Sequence, residues 1–186
     1  MSPPIVTRLD MERGVAVDII MQIIRQAQAR MRATGSSQWQ DGYPAPGHIS
    51  ADIGRGCGYV LCRPGVRECR AIIAYGAVAF DGEPAYEALE GEWLTEGDSS
   101  NSAYAVVHRV AVAADSVGKG AARLMLGNAQ NLAHEGGAQS LRVDTHPGNV
   151  PMLSLLRSSG FTECGIIRIK HAGGLTPERV AFEKLL

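Results

Sequence analysis

The segment that decides the fold runs from residue 110 to residue 123 and reads VAVAADSVGKGAAR. Apolar residues typical of a strand lead into a turn that contains Gly118 and Gly120, and alanines that favour a helix follow the turn. A helix that begins there points its unpaired N–H groups and the positive end of its dipole at the turn. The segment therefore predicts either a phosphate-binding loop or a tight strand-to-helix turn.

Two well-known phosphate-binding motifs do not fit these residues. A P-loop needs Ser or Thr directly after its lysine, and here Gly120 follows Lys119. A Rossmann fingerprint needs Gly or Ala at the position that Arg123 occupies. A phosphate ligand on this loop would therefore belong to another kind of fold.

Helices and strands alternate along the rest of the chain. Apolar spacing predicts helices at 10–35, at 48–55, between Gly118 and Gly136, and from Asn149 to Gly160. Strand patterns occur at 5–9, 59–62, 69–80, 104–112, 141–144, 161–169 and 179–185. The segment 81–102 between two of these strands is rich in acids and glycine and is predicted to be a surface excursion. This order predicts a mixed α/β fold in a single domain that spans residues 1–186.

Composition excludes several function classes. The chain has 186 residues, of which 45% are hydrophobic, and a formal net charge of -1, so a broad nucleic-acid-binding surface is not expected. Its most apolar run, 71–80, is shorter than the roughly 20 residues that cross a bilayer. The start, Met1-Ser2-Pro3-Pro4, has no signal-peptide pattern, and the four cysteines form no CxxC pair, so we expect a cytoplasmic protein with reduced thiols. The five histidines show no metal-ligand spacing, which predicts no metal.

The glycine loop resembles the Q/R-x-x-G-x-G/A signature of the GNAT (Gcn5-related N-acetyltransferase) superfamily. Val117-Gly118-Lys119-Gly120-Ala121-Ala122 falls on that signature, with Val117 in place of the first Gln or Arg. Downstream, Asn149 and Met152 begin a helix that ends at Ser158-Ser159-Gly160-Phe161, which is similar to the N…Y-x-x-x-G-F run of the family. The loop 35–44, with Trp39 and Tyr43, is similar to a loop of small bacterial members.

The resemblance implies a fold and a donor. The fold is a mixed, mostly antiparallel sheet of six to seven strands, splayed between the strands at 104–112 and 140–145 and flanked by about four helices. The donor is acetyl-CoA, and it transfers its acetyl group directly to a primary amine of a small molecule or peptide in a ternary complex. Its pantetheine arm would lie in the splayed gap and its pyrophosphate on the glycine loop. The cofactor-binding residues would be Val110, Ala111, Val112, Val117, Gly118, Lys119, Gly120, Ala121, Ala122, Arg123, Asn149 and Met152.

His108 is the candidate general base. Alternation along the strand places it on the face of Val106, Val110 and Val112, and an ordinary histidine pKa of about 6.5 suits proton transfer. The resemblance also matches His108 to the position where aralkylamine acetyltransferases carry a catalytic histidine. The alternative is a hydrogen-bonded histidine of the core.

The acceptor site has four candidate residues with open alternatives. Asp144 and His146 would lie at the mouth of the cleft. Asp144 would bind a cationic amine, orient a histidine or cap the following loop, and His146 would serve the substrate or the structure. Trp39 and Tyr43 either form a wall of the acceptor pocket or anchor their loop.

The chain departs from the family where a tyrosine is often the general acid. Leu156 occupies that position, so either another group such as Tyr104, Tyr59 or Tyr43 protonates the thiolate, or water does, or no general acid is needed. Together with Val117, this residue keeps open the alternative of a non-catalytic or degenerate CoA-binding sensor. Many members of the family pair through their C-terminal strands, so a homodimer through 161–185 is also implied.

Overall fold

The structure is a computed structural model that describes residues 5–8, 13–63, 71–97, 103–169 and 178–186. Its four helices are α1 (Arg13–Ala33), α2 (Pro46–Arg55), α3 (Ala121–Glu135) and α4 (Val150–Ser158). Its eight strands are β1 (Ile5–Arg8), β2 (Gly58–Cys62), β3 (Ile72–Ala79), β4 (Glu90–Gly91), β5 (Tyr104–Val112), β6 (Ser140–Thr145), β7 (Thr162–Arg168) and β8 (Glu178–Leu185).

All eight strands form one sheet in the order β1-β2-β3-β5-β6-β8-β7-β4. Among these described strands, β5 and β6 form the single parallel pair, and the other neighbouring pairs are antiparallel. The mixed, mostly antiparallel sheet with four helices confirms the predicted fold. The sheet exceeds the predicted six to seven strands because the two-residue strand β4 pairs with β7 at the edge.

A gap opens in the middle of the sheet. The pairing of β5 with β6 begins at Tyr104 and Ser140 and ends at Val107 and Val143. Beyond Val107, β5 continues as far as Val112 and remains paired with β3, but no longer with β6. The splay therefore lies between the two strands that the sequence predicted.

A β-bulge interrupts the alternation of β5 at the start of this gap. His108 lies opposite Ala77 and Ala111 lies opposite Tyr75, so β5 has one more residue than β3 between these pairs. The extra residue is accommodated at Arg109, which has a φ of 57° in the left-handed region. Side chains after the bulge consequently face the opposite side from where simple alternation would place them.

Apolar helix faces cover both sides of the sheet. Leu126, Ala129 and Leu156 of α3 and α4 pack with β5 and β6 residues on one face. Ile20, Ile24 and Ile49 of α1 and α2 pack with β2 and β3 residues on the other.

Predicted boundaries agree closely with the structure in the second half of the chain, where β5 has the predicted bounds 104–112. Helix α4 begins after Asn149, whose Oδ1 accepts a hydrogen bond from the Met152 N–H, as expected for an N-cap. The proposed starts of a helix at Asp10 and of a strand at Cys69 lie outside the described residues.

Candidate active site

A cavity of about 1080 Å³ occupies the gap between β5 and β6. It extends from the glycine loop to the ends of the two strands. Most predicted site residues line it, namely Trp39, Tyr43, His108, Val110, Ala111, Val112, Val117, Gly118, Gly120, Ala121, Ala122, Arg123, Asp144, Asn149 and Met152. Lys119 and His146 are the two predicted residues that do not line it.

The glycine loop forms one end of the cavity. After a short 3₁₀ turn at 114–116, Gly118 and Gly120 adopt φ values of 75° and 83°, and α3 begins at Ala121. No side chain caps this helix, and its first turn contains no acidic residue. An added Cβ at either glycine would have nothing within 4 Å, so glycine is needed there for backbone conformation rather than for space. An uncapped helix N-terminus of this kind favours a negatively charged group.

Lys119 and Arg123, the basic residues of this segment, have different surroundings. The side chain of Lys119 is exposed. Arg123 donates to the backbone oxygen of Ser158 at 3.1 Å and to its hydroxyl at 2.8 Å, which directs its guanidinium toward the end of α4. Val117, in place of the family's polar residue, is 48% exposed.

The bulge changes the surroundings predicted for His108. His108 shares a face with Val106, because both are on the same side of β5 before the bulge. Val110 and Val112 lie on the opposite face, toward α3, as shown by the position of the Val110 side chain near Gly76 and Met125. The predicted common face for His108, Val110 and Val112 was therefore wrong, because sequence alternation does not register an extra residue.

The imidazole of His108 lies in a desolvated environment. Burial is the main cause, and together with the positive charge of Arg109 it lowers the pKa of His108 to about 4, although Asp52 and Asp81 act in the opposite direction. His108 is consequently neutral at neutral pH and is a weak base.

Asp144 lies at the end of β6 on the same cavity. Its Oδ1 accepts a hydrogen bond of 3.0 Å from the hydroxyl of Tyr86. Burial raises the pKa of Asp144 to about 6, although the Tyr86 hydrogen bond and the charge of Arg179 both lower it. Asp144 therefore carries a negative charge at pH 7, and its side chain is a stronger base than that of His108.

Tyr86 belongs to the segment that the sequence predicted to be a surface excursion. In the described part of that segment, Tyr86 is buried in a 3₁₀ helix at 84–88 and packs with Tyr104, Trp93 and Ile167. The excursion thus contributes a buried hydrogen-bond donor to Asp144, which its acidic composition did not indicate.

A buried network that the sequence did not reveal contacts Tyr43 in the wall of the cavity. Arg109 donates two hydrogen bonds to Asp52 and one, from Nη1 at 2.8 Å, to the hydroxyl of Tyr43. The hydroxyl of Tyr75 also donates to Asp52, at 2.7 Å. A signal was present in the sequence, because Asp52 is three residues after Ile49 on the buried face of α2, where a charge requires a partner.

The loop between α1 and α2 crosses to the start of α4. The Nδ2 of Asn149 donates to Oε1 of Gln38 at 2.8 Å. Trp39 packs against the core of α1 and also lines the cavity, so the structure is consistent with both roles considered for it.

His146 has structural partners. Its Nδ1 accepts a hydrogen bond from the Gly148 N–H at 2.9 Å, and its Nε2 is 3.1 Å from the hydroxyl of Ser37. Burial, with a further effect from Arg179, lowers the pKa of His146. These contacts fit the structural alternative, in which His146 positions the neighbouring loop.

The tyrosines considered as general acids are dispersed. Leu156, on the buried face of α4, lies fully in the core and does not line the cavity. Of Tyr43, Tyr59 and Tyr104, the cavity is lined by Tyr43 alone. Burial raises the pKa of Tyr43.

Metal-binding clusters and membrane-spanning helices are both absent from the residues that the structure describes. No group of three or more His, Cys, Asp or Glu side chains there has a geometry that could hold a metal ion. Within the same ranges, no helix has the length and apolar character to cross a membrane.

Comparisons with known proteins agree with this architecture. A sequence profile of the acetyltransferase (GNAT) family matches residues 23–161. A crystal structure of a GNAT-family acetyltransferase from Streptococcus agalactiae 2603 is 31% identical, with a TM-score of 0.80, and the alignment covers 98% of this chain and 95% of that one.

More distant structures share the fold. Ribosomal-protein-alanine N-acetyltransferase from Brucella melitensis is 16% identical with a TM-score of 0.64, over 98% of this chain and 99% of that one. The NatC complex bound to Gag peptide and CoA includes a chain that is 11% identical with a TM-score of 0.65, over 100% of this chain and 99% of that one. No curated protein matches the sequence. The family profile covers most of the chain, and the chain therefore belongs to the GNAT family of acetyltransferases.

Proposed function

We propose that this protein transfers an acetyl group from acetyl-CoA directly to a primary amine within a ternary complex. The observation that carries the proposal is the single cavity that joins the glycine loop to Asp144 and His108 through the gap between β5 and β6. Acetyl transfer needs an anion-binding site for the phosphates of the donor and a proton acceptor for the amine. The thioester must lie between these two sites. The two ends of this cavity meet those needs.

The donor is held mainly by backbone in this proposal. The uncapped N-terminus of α3 and the two left-handed glycines offer N–H groups to the pyrophosphate. Backbone groups at Val110–Val112 that no longer pair with β6 are available to the pantetheine arm. The N–H of Val110 or Val112 would stabilise the oxygen of the thioester as it becomes negative. Asn149 and Met152 would complete the wall at the start of α4.

The acceptor binds at the opposite end, where Asp144 attracts its ammonium group. The ammonium gives one proton to a base, and the amine nitrogen then attacks the thioester carbon. As the carbon–sulfur bond breaks, the nitrogen loses its second proton, which the departing sulfur receives. The products are the N-acetyl amide and CoA thiol, with one proton released to solvent.

Asp144 is the better of the two candidate bases. Its pKa of about 6 exceeds the pKa of about 4 for His108, so it takes up the ammonium proton more readily. Asp144 also supplies the negative charge that attracts the ammonium. His108 remains the rival base. Of the three tyrosines considered as acids, we favour Tyr43, because it lines the cavity.

The test is a thiol-release assay with acetyl-CoA and a panel of amines that includes amino acids, polyamines, aminoglycosides and peptides with free N-termini. We expect release that depends on at least one amine and a product that carries one acetyl group by mass spectrometry. Binding of CoA without thiol release for any acceptor would instead support a CoA-binding sensor, the function for which Val117 and Leu156 are the supporting residues.

The proposed compartment is the cytoplasm, because acetyl-CoA is an intracellular metabolite. A homodimer through 161–185 stays a prediction for light scattering to test.

A further inference from the structure

We propose that Arg30 of α1 is a donor-binding residue whose guanidinium hydrogen-bonds an amide carbonyl of the pantetheine arm. This inference rests on the proposed function, because it assumes that the arm lies in the gap between β5 and β6. It concerns a residue outside the glycine loop and outside both of those strands.

The backbone carbonyl of Val112 faces the gap between β5 and β6. The N–H of Ala113 donates to the Ile73 oxygen on β3, at 2.8 Å. Since the backbone groups of successive strand residues point to alternate sides, the N–H and carbonyl of Val112 point away from β3. That side of β5 is the gap, where β6 no longer pairs. The Val112 carbonyl is thus exposed to whatever occupies the gap.

Arg30 meets this carbonyl. Its Nη2 donates to the Val112 oxygen at 2.6 Å, a contact between residues that are 82 positions apart in sequence. Arg30 also lines the cavity. The hydrogen bond therefore places a guanidinium at the gap itself rather than at the protein surface.

The second terminal nitrogen of the same group has no partner. Nη1 of Arg30 is buried and makes no hydrogen bond in the part of the chain that the structure describes. A buried donor without an acceptor costs free energy, and its presence in a cavity wall indicates an acceptor on the ligand. Nη1 and Nη2 share one planar group, so the missing acceptor lies beside the Val112 carbonyl.

The chemistry of the arm fits this position. Pantetheine contains two amides, and each offers a carbonyl oxygen that accepts a hydrogen bond as a peptide carbonyl does. An arm that extends along β5 carries such an oxygen past Val112. Arg30 would then bridge the Val112 carbonyl and the ligand carbonyl with its two terminal nitrogens. A phosphate is the other acceptor that a guanidinium prefers, so the experiment must separate the two.

The experiment compares the wild-type protein with Arg30→Met, which keeps most of the aliphatic stem but removes every donor. Dissociation constants are measured by calorimetry for three probes: CoA, pantetheine, and 3′-phosphoadenosine 5′-diphosphate, the part of CoA that lacks the arm. Arg25→Met, an exposed substitution on the same helix, is the matched control. Thermal melting checks that each variant is folded.

We expect Arg30→Met to weaken the binding of CoA and of pantetheine by the same factor, about 10- to 100-fold, as for the loss of a charged hydrogen bond. Binding of the nucleotide probe should not change, and Arg25→Met should bind all three probes as the wild type does. Weaker binding of the nucleotide probe would overturn the assignment in favour of a phosphate contact, and unchanged CoA binding would also overturn it. If the wild-type protein bound no CoA at all, the proposed function itself would fail, which is a different outcome.

Discussion

Arg109 and Asp52 form an ion pair with two hydrogen bonds, and Arg109 also contacts Tyr43 in the wall of the cavity. Nε of Arg109 donates to Oδ2 of Asp52 at 2.8 Å, and Nη2 donates to Oδ1 at 2.6 Å. The side chains are 10% and 1% exposed. The pair joins the bulge of β5 to α2, and through Tyr43 it also holds the loop between α1 and α2.

Breaking this pair on one side should be costly. Asp52→Asn leaves the Arg109 cation buried without a counter-charge, and we expect a loss of about 3–5 kcal/mol in the free energy of unfolding. Urea denaturation followed by circular dichroism measures it. Glu163→Gln breaks the exposed pair with Arg157 and should change stability by less than about 1 kcal/mol.

A second variant distinguishes the effect of an unpaired buried charge from a general disruption of packing. The double substitution Asp52→Leu with Arg109→Met removes both charges and should recover much of the stability lost in Asp52→Asn. An Asp52→Asn protein as stable as the wild type would contradict the role given to the pair.

The pH dependence of turnover should identify the base. If Asp144 accepts the proton, kcat/KM falls as pH drops through about 6, because the carboxyl group is then protonated and can neither attract an ammonium nor accept its proton. The groups that act on Asp144 are Tyr86, Arg179 and Glu83. With His108 as the base, the fall would instead occur near pH 4.

Substitution completes this test. Asp144→Asn should lower kcat/KM by roughly 10²- to 10⁴-fold and remove the acidic limb of the profile. His108→Gln should keep the limb near pH 6. A wild-type profile that is flat from pH 8 to pH 5 would exclude Asp144 as the base.

Gly120→Ala should weaken CoA binding through backbone conformation alone. An alanine meets no atom within 4 Å there, but the φ of 83° costs a residue with a Cβ roughly 1–2 kcal/mol. The exposed loop can relax in the free protein, so binding must restore the strained form. We expect the CoA dissociation constant to rise about tenfold in calorimetry.

Gly127→Ala is the matched control, because Gly127 lies within α3 and also has open space around its Cβ position. Alanine there should raise the free energy of unfolding by about 0.5–1 kcal/mol and leave CoA binding unchanged. Equal effects of the two substitutions on CoA binding would refute the conformational explanation.

Leu156→Tyr should not supply a general acid. Leu156 is fully buried in the core, so a larger polar side chain should destabilise the protein by about 1–3 kcal/mol without raising kcat. Leu124→Tyr on the exposed face of α3 is the control and should change stability by less than about 0.5 kcal/mol. An increase in kcat for Leu156→Tyr would show that position 156 reaches the reacting atoms.

The sequence predicted those parts of the molecule that local patterns determine. The apolar run of β5 and the N-cap at Asn149 depend on neighbouring residues, and both match the structure. The glycine loop was likewise recognisable, since Gly118 and Gly120 have the left-handed φ values that favour glycine.

The features that the sequence did not predict depend on distant partners. The left-handed conformation of Arg109 has no local signal, because it is imposed by a bulge against β3. The pairing of Arg109 with Asp52 spans 57 positions. Arg30 is three residues after Ala27 on the apolar stripe of α1, a position that indicates a cation partly covered by the fold. The helix sequence does not indicate its partner on β5.

The parting of β5 from β6 has one further consequence: it creates a strand edge inside the protein instead of at its rim. Exposed edges tend to recruit other chains, and proteins usually protect them with charges or short strands. Here the edge lies inside a cavity lined by residues of α1, α3 and α4, so it is less open to a second polypeptide strand than an edge at the rim, and the ligand proposed for it is a thin chain that contains amides. Such a ligand would act as the missing neighbour and complete the hydrogen-bonding of the sheet for as long as it stays bound.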